Sequence, residues 1–283
     1  MARERGRRYD TVRFMDFVFA AITDVHFGPR ALFRGKLRKL SDQAPELARS
    51  FVSRMNERIK PDLVVALGDL IEDESPEADT RRYQTCVDVL RLSHAPVRFV
   101  AGNHDTINLS ETKVAEAWGT KGPLHYSFDQ GPLHFSVLRT IERKDVDVTL
   151  PTEQLQWLEA DLAKTDKDSV VMMHHSVADQ DPRENPWFHD APHVALVANR
   201  REVRKLIARS GKVRMVINGH LHWNHVDVHD GIPYVTVQSL IENLDDDGPG
   251  RPAEASAVVR VRDRSILVEV DGAAPTRYEH HFS

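Results

Sequence analysis

Five stretches of the chain place metal-binding or proton-moving groups directly after a short apolar run. Phe17 to Thr23 runs into Asp24-Val25-His26, Leu63 to Leu67 into Gly68-Asp69, and Val97 to Ala101 into Gly102-Asn103-His104-Asp105. Val170 to Met173 runs into His174-His175, and Val213 to Ile217 into Asn218-Gly219-His220-Leu221-His222. An amide oxygen can ligate a metal, an imidazole can ligate or donate a proton, and a carboxylate can orient that imidazole. One such stretch alone reads equally well as a polar turn capping a strand. Five in order, each at the carboxyl end of a buried-looking strand, lie where open α/β sheets hold their ligands.

Oxygen and nitrogen donors without thiolates suit ions such as Mn, Fe or Zn. Asp69 is the natural bridge, because one carboxylate offers an oxygen to each of two ions. Two metals about 3.5–4 Å apart can clamp a phosphoryl oxygen and turn a bound water into hydroxide for in-line attack. A nearby histidine can then protonate the leaving oxygen.

The elements that must position these groups follow from punctuation and period. A basic loop spans 30–39. A helix is expected over 45–60, opened by Pro45, striped by Leu47, Phe51 and Met55, and stopped by Pro61. A second helix runs from Ser75-Pro76 to about Leu92, with Cys86 on its buried side. The order to this point is β-α-β-α-β, the pattern of a parallel sheet carrying helices. Residues 124–129 and 133–138 alternate around Gly131-Pro132 and predict a hairpin, with His125 and His134 on the sheet surface. Helices are expected over 152–164, with Trp157 in its core face, and over 200–209, closed by Gly211. Between them, 178–199 is irregular and carries Trp187 and Phe188. Alternating runs at 225–229, 233–238, 256–262 and 265–270 read as consecutive antiparallel strands. His225 and His229 fall in the first of these as structural residues, and 245–248 as a solvated acidic loop.

Composition bounds the function. A chain of 283 residues, 41% hydrophobic, can bury a full core and reads as one domain over 1–283. Its net charge of −5, without a basic block, argues against gripping long nucleic acid. The single cysteine excludes an internal disulfide and fits a reducing, cytoplasmic setting. No apolar run approaches the ~18 residues of a membrane span. Residues 1–15, with Arg3, Arg5, Arg7 and Arg8, read as a solvated tail, because cleavage after the first apolar run would destroy the first strand.

Asp24-x-His26, Gly68-Asp69, Gly102-Asn103-His104-Asp105, His174 and Gly219-His220-x-His222 together resemble the calcineurin-like metallophosphoesterase superfamily, over residues 24–222. The resemblance implies an α/β fold, a four-layer α/β/β/α sandwich of two mixed sheets flanked by helices, with a dinuclear Mn, Fe or Zn site between the sheets. It implies Asp24, His26 and His222 on one metal, Asn103, His174 and His220 on the other, and Asp69 between them. It also makes His104 the catalytic acid, oriented by Asp105. The paired His174-His175 resembles the bacterial phosphodiesterase branch, which includes cyclic nucleotide and glycerophosphodiester hydrolases. Ser176-Val177 stands where many relatives have Pro-Pro, a departure from that branch. Fainter likenesses at 154–158 and 237–243 point to ADP-ribose/CDP-alcohol diphosphatases. A phosphomonoesterase or a non-catalytic scaffold on the same fold are further alternatives. Asn103, His104, His175, Trp187 and Phe188 are the expected substrate contacts, with 178–199 as the selecting loop. Stacking of a nucleobase on the two aromatics would suit a nucleotide ester. A homo-oligomer is compatible with these features.

Overall fold

The computed structural model describes residues 16–143, 146–245 and 247–282. The segment read as an N-terminal tail and Asp246 of the acidic run lie outside the described residues. Sixteen strands appear in chain order. They are β1 Asp16–Ile22, β2 Ala31–Phe33, β3 Lys36–Lys39, β4 Leu63–Ala66, β5 Val97–Phe99, β6 Tyr126–Gln130, β7 Leu133–Val137 and β8 Ile141–Arg143. Then come β9 Asp147–Thr149, β10 Asp168–Met172, β11 Val213–Asn218, β12 His225–His229, β13 Ile232–Thr236, β14 Ser256–Arg262, β15 Ser265–Asp271 and β16 Thr276–His281. Five α-helices join them: α1 Ala44–Arg54, α2 Pro76–Leu90, α3 Glu111–Ala117, α4 Thr152–Lys164 and α5 Arg200–Ser210.

Two six-stranded mixed sheets form the centre, ordered β16-β15-β14-β1-β4-β5 and β12-β13-β11-β10-β7-β6. The period of two along each strand divides its side chains between two cores. Phe17, Phe19 and Ala21 of β1, and Val170 and Met172 of β10, fill the space between the sheets. Ala20 and Ile22 face α1 and α2 on one side, whereas Val171 and Met173 face α4 and α5 on the other. The result is the expected α/β/β/α sandwich.

Local signals placed the helices closely. α1 continues through a π-helical turn, Met55–Ile59, and ends at Lys60, whose φ of 52° leaves the helical region before Pro61. α2 starts on Ser75, whose side chain accepts from Ala78 N. α5 ends on Gly211 at φ 65°. Cys86 is buried in the core under α2.

Four expectations needed correction. The run from 225 onward is not one antiparallel series, because β13 lies parallel to β11 in the second sheet and β14 antiparallel to β1 in the first. Alternation marks a strand but carries no information about which sheet accepts it. The basic loop at 30–39 is a small hairpin, β2–β3, and β8–β9 is another. Trp157 is only partly buried, and stands edge-on to His125 at 4.9 Å between ring centroids. His134 is buried rather than on the surface, held by Asp129 and by Asp161 of α4 at 2.8 and 3.0 Å. No described helix is long and apolar enough to cross a membrane.

Candidate metal centre

The chemistry-bearing turns leave β1, β4 and β5, parallel neighbours that end at one edge of the first sheet, and β10 and β11, the parallel central pair of the second, so within each group the carboxyl ends lie together. Tight packing there forces the backbone. Asp24, His26, Asp69, His220 and His222 all adopt positive φ, between 47° and 70°. Non-glycine residues held in that region mark sites where surrounding structure overrides a local cost. Asp24 N donates to Gly68 O at 3.0 Å and His26 N to Asp69 O at 2.9 Å, stitching the first turn to the second. Two motif glycines are explained by close approach. A Cβ on Gly102 would lie 2.0 Å from Asp69 Oδ1, and one on Gly219 would lie 1.9 Å from Thr23 Oγ1.

The side chains meet in two overlapping groups, Asp24/His26/His222 and Asp24/Asp69/His174, each with its donor atoms within 4.8 Å of one another. His222 Nε2 lies 3.3 Å from His26 Nε2 and 3.4 Å from Asp24 Oδ1. Asp69 Oδ2 lies 3.3 Å from His174 Nε2 and 3.8 Å from His26 Nε2, between the two groups. His220 joins His174 and His175 in a third group. Asp24 Oδ1, Asn103 Oδ1 and His174 Nε2 are buried without a hydrogen-bond partner. Buried polar atoms are almost always satisfied, so these orphans, with Asp24 Oδ1 and His174 Nε2 4.0 Å apart, fit a site built for cations.

The distal ring nitrogens fix orientation. His26 Nδ1 faces Glu72 Oε2 at 3.0 Å, and Glu72 also accepts from Lys39 at 2.5 Å. His222 Nδ1 faces Glu242 Oε2 at 2.6 Å. On the other side the partners are carbonyls: His174 Nδ1 to Leu67 O at 2.8 Å, and His220 Nε2 to Val194 O at 3.0 Å. Outer contacts of this kind select the tautomer that presents the opposite nitrogen to a metal.

The electrostatics of the metal-free centre follow. Burial disfavours the imidazolium of His174, but Asp69 and Asp24 overcome it and push the group up to about 9. His222 rises to about 9 against burial through Asp24 and Glu242. Burial, helped by Lys39, lowers His26 to about 4. Burial and His174 lower His220 to about 3. The Asp24 and Asp69 carboxylates stay ionised despite burial, because these imidazoles face them.

The remaining candidates divide. His104 Nδ1 meets Asp73 Oδ1 at 2.5 Å, so Asp73 and not Asp105 orients it. Asp105 instead turns inward, where its carboxylate accepts from the backbone N–H groups of Asp69, Leu70 and Gly102 at 2.8–3.0 Å. Burial and Asp69 push Asp105 up to about 6. Chain proximity favours Asp105, and only the fold brings Asp73 to His104 instead. His175 is buried, 2.7 Å from Thr140 Oγ1 and ring-to-ring with His220 at 3.9 Å. Trp187 and Phe188 come to the centre, against His222 and His220 at 5.0 and 4.7 Å. His225 and His229 stay outside it on β12, beside Asp227.

Asn103, His104, Trp187 and Phe188 line a cleft of about 370 Å³ with Asp69, Glu72, Glu142, His220, His222, Arg34 and Lys39. Sequence reasoning missed Glu72 and Asp73, whose only signal was acidity three and four residues beyond Asp69. It also missed Glu242, Lys39 and Arg34, which carry no local signal.

Its likenesses to known proteins place the chain in a class of metal-dependent phosphoester hydrolases. The calcineurin-like phosphoesterase family model matches residues 17–224, and the chain belongs to that family. It is 29% identical over 215 residues to a protein of Synechococcus sp. named "probable cyclic nucleotide phosphodiesterase", covering 74% of each chain. A Rhodococcus erythropolis protein of the same name is 23% identical, with 79% of this chain and 71% of that one covered. Among solved structures, a dimetal phosphatase from Danio rerio superposes with a TM-score of 0.75 at 19% identity, covering 94% of this chain and 99% of that one. This last likeness concerns the fold.

Proposed function

We propose that the chain is a phosphodiesterase acting on a small nucleotide ester, a cyclic nucleotide being the first candidate. The observation that carries this reading is the set of buried atoms without a hydrogen-bond partner, Asp24 Oδ1, Asn103 Oδ1 and His174 Nε2, of which Asn103 lines the cleft with His104 and His174 reaches Asp69 of that lining at 3.3 Å. Asp24, His26 and His222 would hold one ion, Asn103, His174 and His220 a second, and Asp69 both. Bound ions of the Mn, Fe or Zn kind would place positive charge against the phosphoryl oxygens and acidify a water for in-line attack.

The chain's own groups do the rest. Asp73 accepts a hydrogen bond from Nδ1–H of His104, so Nε2 is the atom that can hand a proton to the departing oxygen. Asp69, Asp73 and Glu72 raise the His104 pKa against burial and Lys39, which favours the protonated ring. Asn103 follows Gly102 on the tight turn, and the loop 101–106 thus carries both a ligand and the acid.

Charge in the cleft favours a diester over a diphosphate. Its two described lining cations are committed, Arg34 to Asp190 and Lys39 to Glu72. A diester brings a single negative charge for the ions to meet, whereas a diphosphate brings a second that would lack an unpaired partner. The names of the Synechococcus and Rhodococcus relatives support the same choice. The test is a panel of cyclic nucleotides, glycerophosphodiesters, nucleotide diphosphates and phosphomonoesters with Mn, Fe, Zn and Mg. Faster turnover of diphosphates or monoesters than of every diester would overturn the reading.

A further inference from the structure

We infer that Trp187 and Phe188 are positioning residues that hold the His220–His222 turn of the metal centre, and not a platform for the substrate's base. The inference rests on the reading of His220 and His222 as ligands. Trp187 is already committed to protein. Its indole N–H donates to Glu242 at 3.0 and 3.1 Å, and that carboxylate accepts from His222 Nδ1 at 2.6 Å. Its ring lies 4.6 Å from Phe33 and 5.0 Å from His222 between centroids. The Lys39 ammonium sits 5.3 Å over it, and the same ammonium binds Glu72, the carboxylate behind His26. One side chain therefore touches the outer partner of His222 directly and reaches that of His26 through Lys39.

Phe188 does the corresponding work on the other imidazole. It lies 4.7 Å from His220 and packs with Ala195, Leu196 and Leu221, the residue between the two histidines. The loop is tied to that turn from both ends. Buried Asn185 donates to Leu221 O at 2.7 Å and accepts from Trp187 N at 2.9 Å. Val194 O meets His220 Nε2 at 3.0 Å. His220 and His222 sit at φ 70° and 55°, a conformation that needs outside support. The loop from Asn185 to Leu196 packs on one side of them, through Asn185, Trp187, Phe188 and Val194. Outer contacts to a metal-binding histidine typically change metal affinity by ~10–100-fold.

The test uses the full-length chain and reads Mn²⁺ or Zn²⁺ affinity by chelator competition. It also reads KM at saturating metal for a cyclic nucleotide and for bis(p-nitrophenyl) phosphate. Trp187→Phe keeps the ring and removes the N–H. It is expected to weaken one ion by ~10-fold or more, with the ratio of the two KM values unchanged. Glu242→Gln is expected to weaken the same ion. The double variant should lose little more than Glu242→Gln alone, because both changes act through one hydrogen bond. Phe188→Leu should weaken the other ion, which keeps the proposal testable should the tryptophan variant fail to fold. Unchanged metal affinity in the folded variants, or a KM that rises for the nucleotide alone, overturns the proposal. Full metal retention by His222→Ala would overturn the ligand reading beneath it, a separate outcome.

Discussion

Replacing Asp73 with Asn tests how His104 works. The Nδ1–Oδ1 contact is 2.5 Å, and the two side chains are 24% and 27% exposed. A hydrogen bond to a charged group contributes about 1.5–3 kcal/mol. With partial solvent screening, roughly 1–2 kcal/mol of it remains, and at about 1.4 kcal/mol per tenfold this predicts a loss of roughly 5–30-fold in kcat/KM. His104→Ala removes the proton donor itself and should cost ~10²–10⁴-fold. Both losses should appear with an alkyl leaving group, which needs a proton, and shrink with nitrophenolate, which hardly does. The assay compares the two esters for each variant, with metal content measured alongside. Equal losses on both esters would refute proton donation and leave His104 as a group that positions phosphate. Loss of metal from His104→Ala would make it a ligand.

Three further outcomes follow from the same geometry. Asp105→Ala leaves three buried backbone N–H groups without an acceptor, so thermal unfolding should show a loss of about 3 kcal/mol or more, whereas Asp73→Ala should cost no more than the roughly 1–2 kcal/mol of its screened contact with His104. The metal-free chain should lose stability as pH rises from about 6.5 to about 9. His174 and His222 have folded-state pKa values raised to about 9, so the stabilisation from their charged forms is complete below the unfolded value and disappears as they deprotonate. Melting curves with chelator check this, and a Tm that climbs over that range would contradict it. Asp69→Asn should abolish occupancy by two ions, because a neutral amide bridges two cations poorly; elemental analysis still finding two metals per chain would remove Asp69 from the bridge.

The sequence by itself missed the β2–β3 and β8–β9 hairpins and β16, but determined most strands of the two large sheets, the main helices and the polar turns that follow β1, β4, β5, β10 and β11. Those features are local: an apolar run of period two, a capping serine before Pro76, a glycine where another chain segment crowds in. Long-range choices were not legible. Asp73 and Asp105 stand 31 and one residues from His104, and chain proximity favoured Asp105. Folding sends the Asp105 carboxylate inward to three amide hydrogens and brings Asp73 across from the neighbouring strand end. Trp187 and Phe188 likewise look like free aromatics in a long loop. Only the packing of that loop on the 220–222 turn shows them facing histidines. Strand pairing of 225–270 failed for the same reason, since alternation fixes which face is apolar but not which sheet receives it. Contacts between segments far apart in sequence depend on the whole chain's packing, and no single segment encodes them.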